Sequence, residues 1–101
     1  MNPEFREAVY QIIAAIPPGK VSSYGAVARQ AGFPHHARFV GRLMSQLPED
    51  TRLPWHRVLR SDRHIALVGT PAGQIQIQRL RDENIPVIND RVPKPYFLVP
   101  Q

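Results

Sequence analysis

Phe5, Val9, Ile12, Ile13 and Ile16 return every three or four residues, which predicts an amphipathic helix with one apolar face. Pro3 suits its first turn, and Pro17-Pro18-Gly19 ends it. Ser23 is placed to cap a second helix. Its apolar stripe is Tyr24, Val27, Ala28 and Ala31, and Gly32 is a good stop. Phe33-Pro34 turns the chain into a third helix. There Val40, Leu43, Met44 and Leu47 point inward, while His35, Arg38, Arg42 and Ser45 form the outer face until Pro48. Two short helices joined by a few residues, the second with a basic outer face, make a helix-turn-helix pattern. Many small helical domains contain such a pair and bind no DNA, so the pattern alone leaves function open.

Beyond Pro54 the periodicity breaks. Val58-Leu59-Arg60 and His64-Ile65-Ala66-Leu67 flank Ser61-Asp62-Arg63, which predicts a short β-hairpin or wing. Pro71-Ala72-Gly73 then separates this wing from a polar helix over residues 74–84, whose thin apolar side is Ile75, Leu80 and arginine methylenes. Ile85-Pro86-Val87-Ile88 is strand-like. The tail sets Pro93, Pro95 and Pro100 among Tyr96, Phe97, Leu98 and Val99, so it is an edge segment or an ordered loop. The expected fold is mainly α with a small β wing, a winged-helix or helix-turn-helix DNA-binding domain. No repeat or linker divides the 101 residues, which are read as one domain over residues 1–101.

Charge sharpens this picture. A net charge of +5 and a pI near 10.5 suit a polyanionic partner such as nucleic acid. The basic residues are scattered rather than gathered on one amphipathic face, which argues against a membrane surface. No apolar run is long enough for a transmembrane helix, and Glu4, Arg6 and Glu7 make the first residues unlike a signal peptide. The absence of cysteine excludes disulfides and thiolate metal sites. A cytoplasmic address, associated with the nucleoid through DNA, fits these features. His35, His36, His56 and His64 do not form a recognised ligand set, so no metal is expected.

The chemistry is concentrated at Leu53-Pro54-Trp55-His56-Arg57-Val58. This run resembles the Pro-Cys-His-Arg-Val active-site motif of the O6-alkylguanine-DNA alkyltransferases, with Trp55 where the reactive cysteine stands. In those enzymes a thiolate takes the alkyl group from guanine O6, and thiolate is the nucleophile such chemistry needs. An indole cannot accept an alkyl group by displacement. Other pieces follow in the family's order over about residues 5–84. Gly19-Lys20-Val21-Ser22-Ser23-Tyr24-Gly25 resembles the stretch that opens its helix-turn-helix. Ala37-Arg38-Phe39-Val40-Gly41 resembles its recognition helix, and Arg79-Leu80-Arg81-Asp82-Glu83 the helix that ends near a glutamate. The chain therefore resembles the alkyltransferase-like proteins, with the fold of the alkyltransferase C-terminal domain implied.

The resemblance implies a division of roles. Tyr24 rotates the 3′ phosphate of the target nucleotide, and Arg38 is the arginine finger that fills the space left by the extruded base. From spacing alone, Tyr24 is an aromatic on the core and Arg38 a solvated charge; the family motif reverses both readings. The family's recognition helix enters the minor groove, and small Ala37 and Gly41 are compatible with that close approach. Lys20, Arg29, Arg42 and Arg57 are candidates for phosphate contacts, or else an ordinary soluble surface. By the same resemblance, the lesion pocket comprises Tyr24, Trp55, His56, Val58 and Glu83. Trp55 forms a floor or wall, and backbone groups near Val58 meet the guanine edge. His56 and Glu83 match the pair that activates the enzyme's cysteine, and are expected here as a hydrogen-bonded support.

Two departures bear on selectivity. Leu47 stands where the family has an asparagine hinge, and residues 65–69 carry no basic side chain, with Leu67 and Val68 apolar there. Selectivity is then expected from pocket volume and apolar contact. No catalytic residue and no cofactor are expected. The expected partners are double-stranded DNA containing O6-alkylguanine and proteins of nucleotide excision repair, with no membrane and a monomeric chain. The rival reading is a winged-helix transcription regulator, which requires preference for a DNA sequence and often a dimer on two half-sites.

Overall fold

Phe5, Val9 and Ile13 are buried four residues apart, one line of side chains down helix α1 (Pro3–Ala14). The computed structural model describes residues 3–98 of the chain. After α1 the prolines stop the helix, and Gly19 takes φ +87° to turn the chain. Strand β1 (Ser22–Ser23) leads directly into α2 (Tyr24–Gln30). The Ser23 hydroxyl caps α2 by accepting from the Ala26 N–H at 3.1 Å. Gly32, at φ +88°, reverses the chain after α2, as its position in the sequence requires.

Helix α3 (Ala37–Ser45) crosses behind α2 to complete the helix-turn-helix. Val40 and Leu43 are buried, Met44 packs partly against them, and His35, Arg38, Arg42 and Ser45 face outward. A short 3-10 turn (Trp55–Arg57) precedes strand β2 (Val58–Leu59), and α4 (Pro71–Asp82) follows. The fold is thus mostly helical with a small two-stranded sheet, as expected.

The strands pair differently from a hairpin. β2 runs parallel to β1, Ser22 opposite Val58 and Ser23 opposite Leu59. The segment after β2 makes a turn in which the Arg60 N–H donates to the His64 carbonyl, and His64 bridges to Arg91. The physical reason is burial. Alternation along β2 sends Val58 into one core and Leu59 into another, and both faces are covered. The first core joins α1, α2 and α3 through Phe5, Val9, Ile13, Ile16, Val27, Val40 and Leu43. The second joins Val21, Ile65, Leu80, Ile85, Val87 and Val92.

Two further expectations change, and a third is met. α4 begins at Pro71, capped by the Thr70 hydroxyl, so its inward face is Gln76 and Leu80 while Ile75 is exposed. Ile85 and Val87 are buried, but their segment is no strand; only Ile88 bridges, to Arg91. The tail lies along Val21 as an edge segment: the Val21 N–H donates to Tyr96 O at 2.9 Å and the Leu98 N–H to Val21 O at 2.6 Å. Val99 and Pro100 lie outside the described residues. No helix among the described residues is long and apolar enough to cross a membrane.

Candidate nucleic-acid interface

Tyr24 stands where α2 begins, held there by the Ser23 cap. Its ring lies against Gly41 of α3, 3.9 Å from where a Cβ would be, an ordinary contact distance. Burial raises the pKa of its phenol, and nearby Arg60 pulls the other way. The hydroxyl therefore stays protonated and can donate.

Two hollows meet at Tyr24 and Gly41. The first is an open groove of about 480 Å³, with Ala37 and Arg38 on the recognition helix facing Arg60, Ser61 and Asp62 on the turn after β2. Arg38 is exposed, and no ion pair engages it among the described residues. Across the groove, the Arg60 guanidinium is held by Asp62 at 3.4 Å. The Asp62 carboxyl lies below its usual range, chiefly because it accepts the His64 backbone N–H.

The second hollow is a cavity of about 690 Å³ beyond Tyr24. Its walls are mostly apolar: Met44, Leu47, Leu67 and Ile75, with Trp55 at 5.5 Å beneath the Arg79 guanidinium. Leu67 and Ile75 are 44% and 48% exposed, which is explained by their facing this space. The loop bearing Leu67 lies so close to α4 that a Cβ on Gly73 would sit 2.0 Å from the Leu67 carbonyl oxygen. Glycine at this position lets the loop form the cavity wall.

On the other side of the same 3-10 turn lies a polar cluster. The His56 Nε2 and Glu83 Oε2 are 2.6 Å apart, and the Arg57 guanidinium reaches both Glu83 oxygens and donates to Ile16 O at 2.8 Å. The Gly19 N–H also donates to Glu83, at 3.0 Å. Burial alone raises a carboxyl pKa, but the bonds from Arg57, His56 and Gly19 outweigh it and hold Glu83 at about 2. Burial lowers the His56 pKa, against the pull of Glu83. Gln76, itself buried, donates to the carbonyls of His56 and Val58 at 3.2 and 3.1 Å. These bonds fasten the turn to α4.

The structure thus places Tyr24 and Trp55 on one cavity and Arg38 on the groove that adjoins it at Tyr24 and Gly41. His56, Val58 and Glu83 do not line that cavity. Val58 is buried, its N–H bonds to Trp55 O, and its carbonyl is taken by Gln76. Arg57, expected at phosphates, points inward to Glu83 instead. Lys20 is exposed with Nζ 3.4 Å from Pro95 O, and Arg42 is exposed over the Phe39 ring at 5.6 Å; neither lines the groove. Arg60, Arg79 and Ile75 line the two hollows, although sequence alone assigns none of them a place at the site. Their spacing from Trp55 has no periodic signature, since each reaches the site through the tertiary fold. Among the described residues, no group of three or more acidic or histidine side chains is arranged to hold a metal ion.

Comparison with known proteins agrees with this architecture. The family described as the 6-O-methylguanine DNA methyltransferase DNA-binding domain matches residues 4–85. The chain is 48% identical over 83 residues to a DNA base-flipping protein of Escherichia coli, covering 82% of this chain and 64% of the relative. It is 44% identical over 85 residues to alkyltransferase-like protein 1 of Schizosaccharomyces pombe, covering 83% of this chain and 79% of the relative. The crystal structure of S. pombe Atl1 with damaged DNA containing O6-carboxymethylguanine superposes with a TM-score of 0.90 at 37% identity, over 99% of each chain. The O6-methylguanine methyltransferase of Mycobacterium tuberculosis superposes with a TM-score of 0.67 at 29% identity, over 93% of this chain and 53% of that one. By fold, motif order and sequence, the chain belongs to the 6-O-methylguanine DNA methyltransferase DNA-binding-domain family, among its alkyltransferase-like members.

Proposed function

We propose that this protein recognises O6-alkylguanine in duplex DNA without repairing it. The observation that carries the reading is the junction at Tyr24, where an open groove on the recognition helix meets an apolar cavity floored by Trp55. A cavity of about 690 Å³ falls within the range of roughly 300–1,000 Å³ common to ligand pockets. A base inside a duplex cannot reach such a cavity, so the nucleotide must be extruded. Arg38 at the mouth fills the gap in the stack, where a guanidinium can lie on exposed base faces. The Tyr24 hydroxyl turns the 3′ phosphate.

Trp55 then stacks on the guest, an interaction of about 1–3 kcal/mol per base. An O6-alkylated guanine pairs poorly and is easier to extrude than guanine, which gives the preference for damage. With no cysteine in the chain, nothing accepts the alkyl group, and the complex persists. His56, Val58 and Glu83 act behind the cavity, holding the Trp55 turn in place. Arg42 and Lys20 add phosphate contacts at the periphery. The long-lived complex of a monomer on DNA marks the lesion for nucleotide excision repair in the cytoplasm.

The test is fluorescence titration of Trp55, the only tryptophan, with matched duplexes containing guanine or O6-methylguanine. Much tighter binding of the lesion duplex, with a change in Trp55 emission, is expected. Equal affinity for both duplexes leaves a general DNA-binding protein and removes this reading. Preference for one undamaged sequence points instead to a transcription regulator.

A further inference from the structure

Residues 65–69 carry no basic side chain, yet the cavity is not without charge. Arg79, two turns into α4, reaches over the Trp55 ring with its guanidinium carbon 5.5 Å from the ring centre. It is the one lysine or arginine lining the cavity among the described residues. No ion pair engages it among those residues, unlike Arg57 and Arg60, which carboxylates hold. Its place is well determined. α4 is pinned one turn earlier by Gln76, whose amide bonds the carbonyls of His56, on the very turn that carries Trp55, and of Val58 at the start of β2. Cation and aromatic floor are therefore fixed relative to one another.

An arginine stacked on an indole keeps its edge donors free for a planar anion. Carboxylate is the anion that matches the guanidinium fork. Met44, Leu47, Leu67 and Ile75 make most of the surrounding wall apolar, with Ser45 and Thr51 the hydroxyls on it, and beside apolar walls a charge is felt more strongly than in water. Glu49 also lines the cavity, from the loop after α3, and opposes an anion there. It makes no ion pair with Arg79 among the described residues, and its repulsion falls on the charged guest alone, so the wild-type ratio reads the attraction of Arg79 less the repulsion of Glu49.

We propose that Arg79 gives the cavity a preference for O6 substituents that carry a negative charge, such as carboxymethyl, over neutral groups of the same shape. This rests on the reading that the lesion enters the cavity over Trp55. Binding is read by anisotropy of labelled duplexes containing guanine, O6-methylguanine, O6-carboxymethylguanine or its neutral amide, O6-carbamoylmethylguanine. The wild-type protein is expected to bind the carboxymethyl duplex about tenfold more tightly than the amide, the size expected of a charge-assisted hydrogen bond. In Arg79→Met that ratio falls to one or below. Equal affinity of the wild type for carboxymethyl and amide overturns the inference, as does an unchanged ratio in Arg79→Met. Equal affinity for O6-methylguanine and guanine is a separate failure, of the lesion reading itself, and the inference falls with it.

Discussion

Trp55 and its neighbours His56 and Arg57 lie on one 3-10 turn but serve opposite surroundings. Trp55 is half-buried and faces a hollow whose walls are apolar and whose volume is open to a guest. His56 and Arg57 face a filled space, where Glu83 satisfies both side chains and Ile16 O takes a further bond. One flank has unfilled volume and few internal polar bonds; the other has short polar bonds and no volume. The lesson is that a motif known for chemistry in relatives can be divided between ligand and scaffold. The inward flank acts as a brace whatever side chain stands on the outward one.

The comparison breaks most visibly if the brace is removed. Glu83→Ala leaves the Arg57 guanidinium and the Gly19 N–H without their acceptor. Removing one partner of a buried pair costs about 3–5 kcal/mol, and slight exposure here brings that to about 2–4 kcal/mol. Urea denaturation should show the loss. A change under about 0.5 kcal/mol, the size of a surface pair, means that the cluster is no brace.

Changes on the outward flank should do the reverse. Arg38→Ala is expected to weaken binding to O6-methylguanine duplex by about tenfold or more, because extrusion costs a few kcal/mol and the stack is left unfilled. Its urea midpoint should not move, since Arg38 is exposed. Tyr24 calls for a gentler substitution, because its ring packs against the helical core. Tyr24→Phe keeps the ring and removes the hydroxyl, so a loss of affinity at constant stability isolates the phosphate contact. Unchanged affinity in either folded variant takes that residue out of the flipping mechanism.

Much of this was legible in the chain, and the boundary is physical. The helices over α1, α2 and α3 follow from apolar period, caps and prolines, which act within a few residues. Motif order, rather than period, singled out Tyr24, Arg38 and Trp55, which the fold brings to two adjoining hollows. The pairing of β2 with β1 was not, because two-residue strands have no alternation to read and their partner lies far along the chain. Nor was the exchange of Ile75 for Gln76 at the buried side of α4. Gln76 is inside because the carbonyls of His56 on the 3-10 turn and Val58 at the start of β2 need a donor there, and Ile75 faces out because the cavity lies before it. An arginine such as Arg57 reads as surface until the fold supplies its carboxylate.

Acid offers a smaller, graded way to loosen the brace. Glu83, held at about 2 when folded and near 4.5 when free, contributes stability that is full above pH 4.5 and lost as pH falls toward 2. His56 has a folded pKa below 6.5, so the unfolded chain takes its proton more readily, and stability begins to fall below pH 6.5. Both groups act in one direction. The urea midpoint should decline gently from pH 6.5 and steeply below 4.5, and the steep part should be missing in Glu83→Gln. A midpoint that rises on acidification contradicts the assignment of either group.

The smallest effect sharpens the contrast most, because it should carry opposite signs on the two properties. Gly41 lies inside α3, where glycine costs about 0.5–1 kcal/mol relative to alanine. A Cβ there meets the Tyr24 ring at 3.9 Å, an ordinary contact, so Gly41→Ala should stabilise the fold by up to about that amount. The same methyl stands at the junction of groove and cavity, on the path proposed for an extruded base. Lesion affinity should therefore fall while the urea midpoint rises. The glycine at 73 is the counterpart that cannot be exchanged, since its Cβ meets the Leu67 carbonyl at 2.0 Å and the cavity wall must move. If Gly41→Ala binds the lesion duplex as well as the wild type, the passage between the two hollows is wider than the guest, and Tyr24 alone governs it.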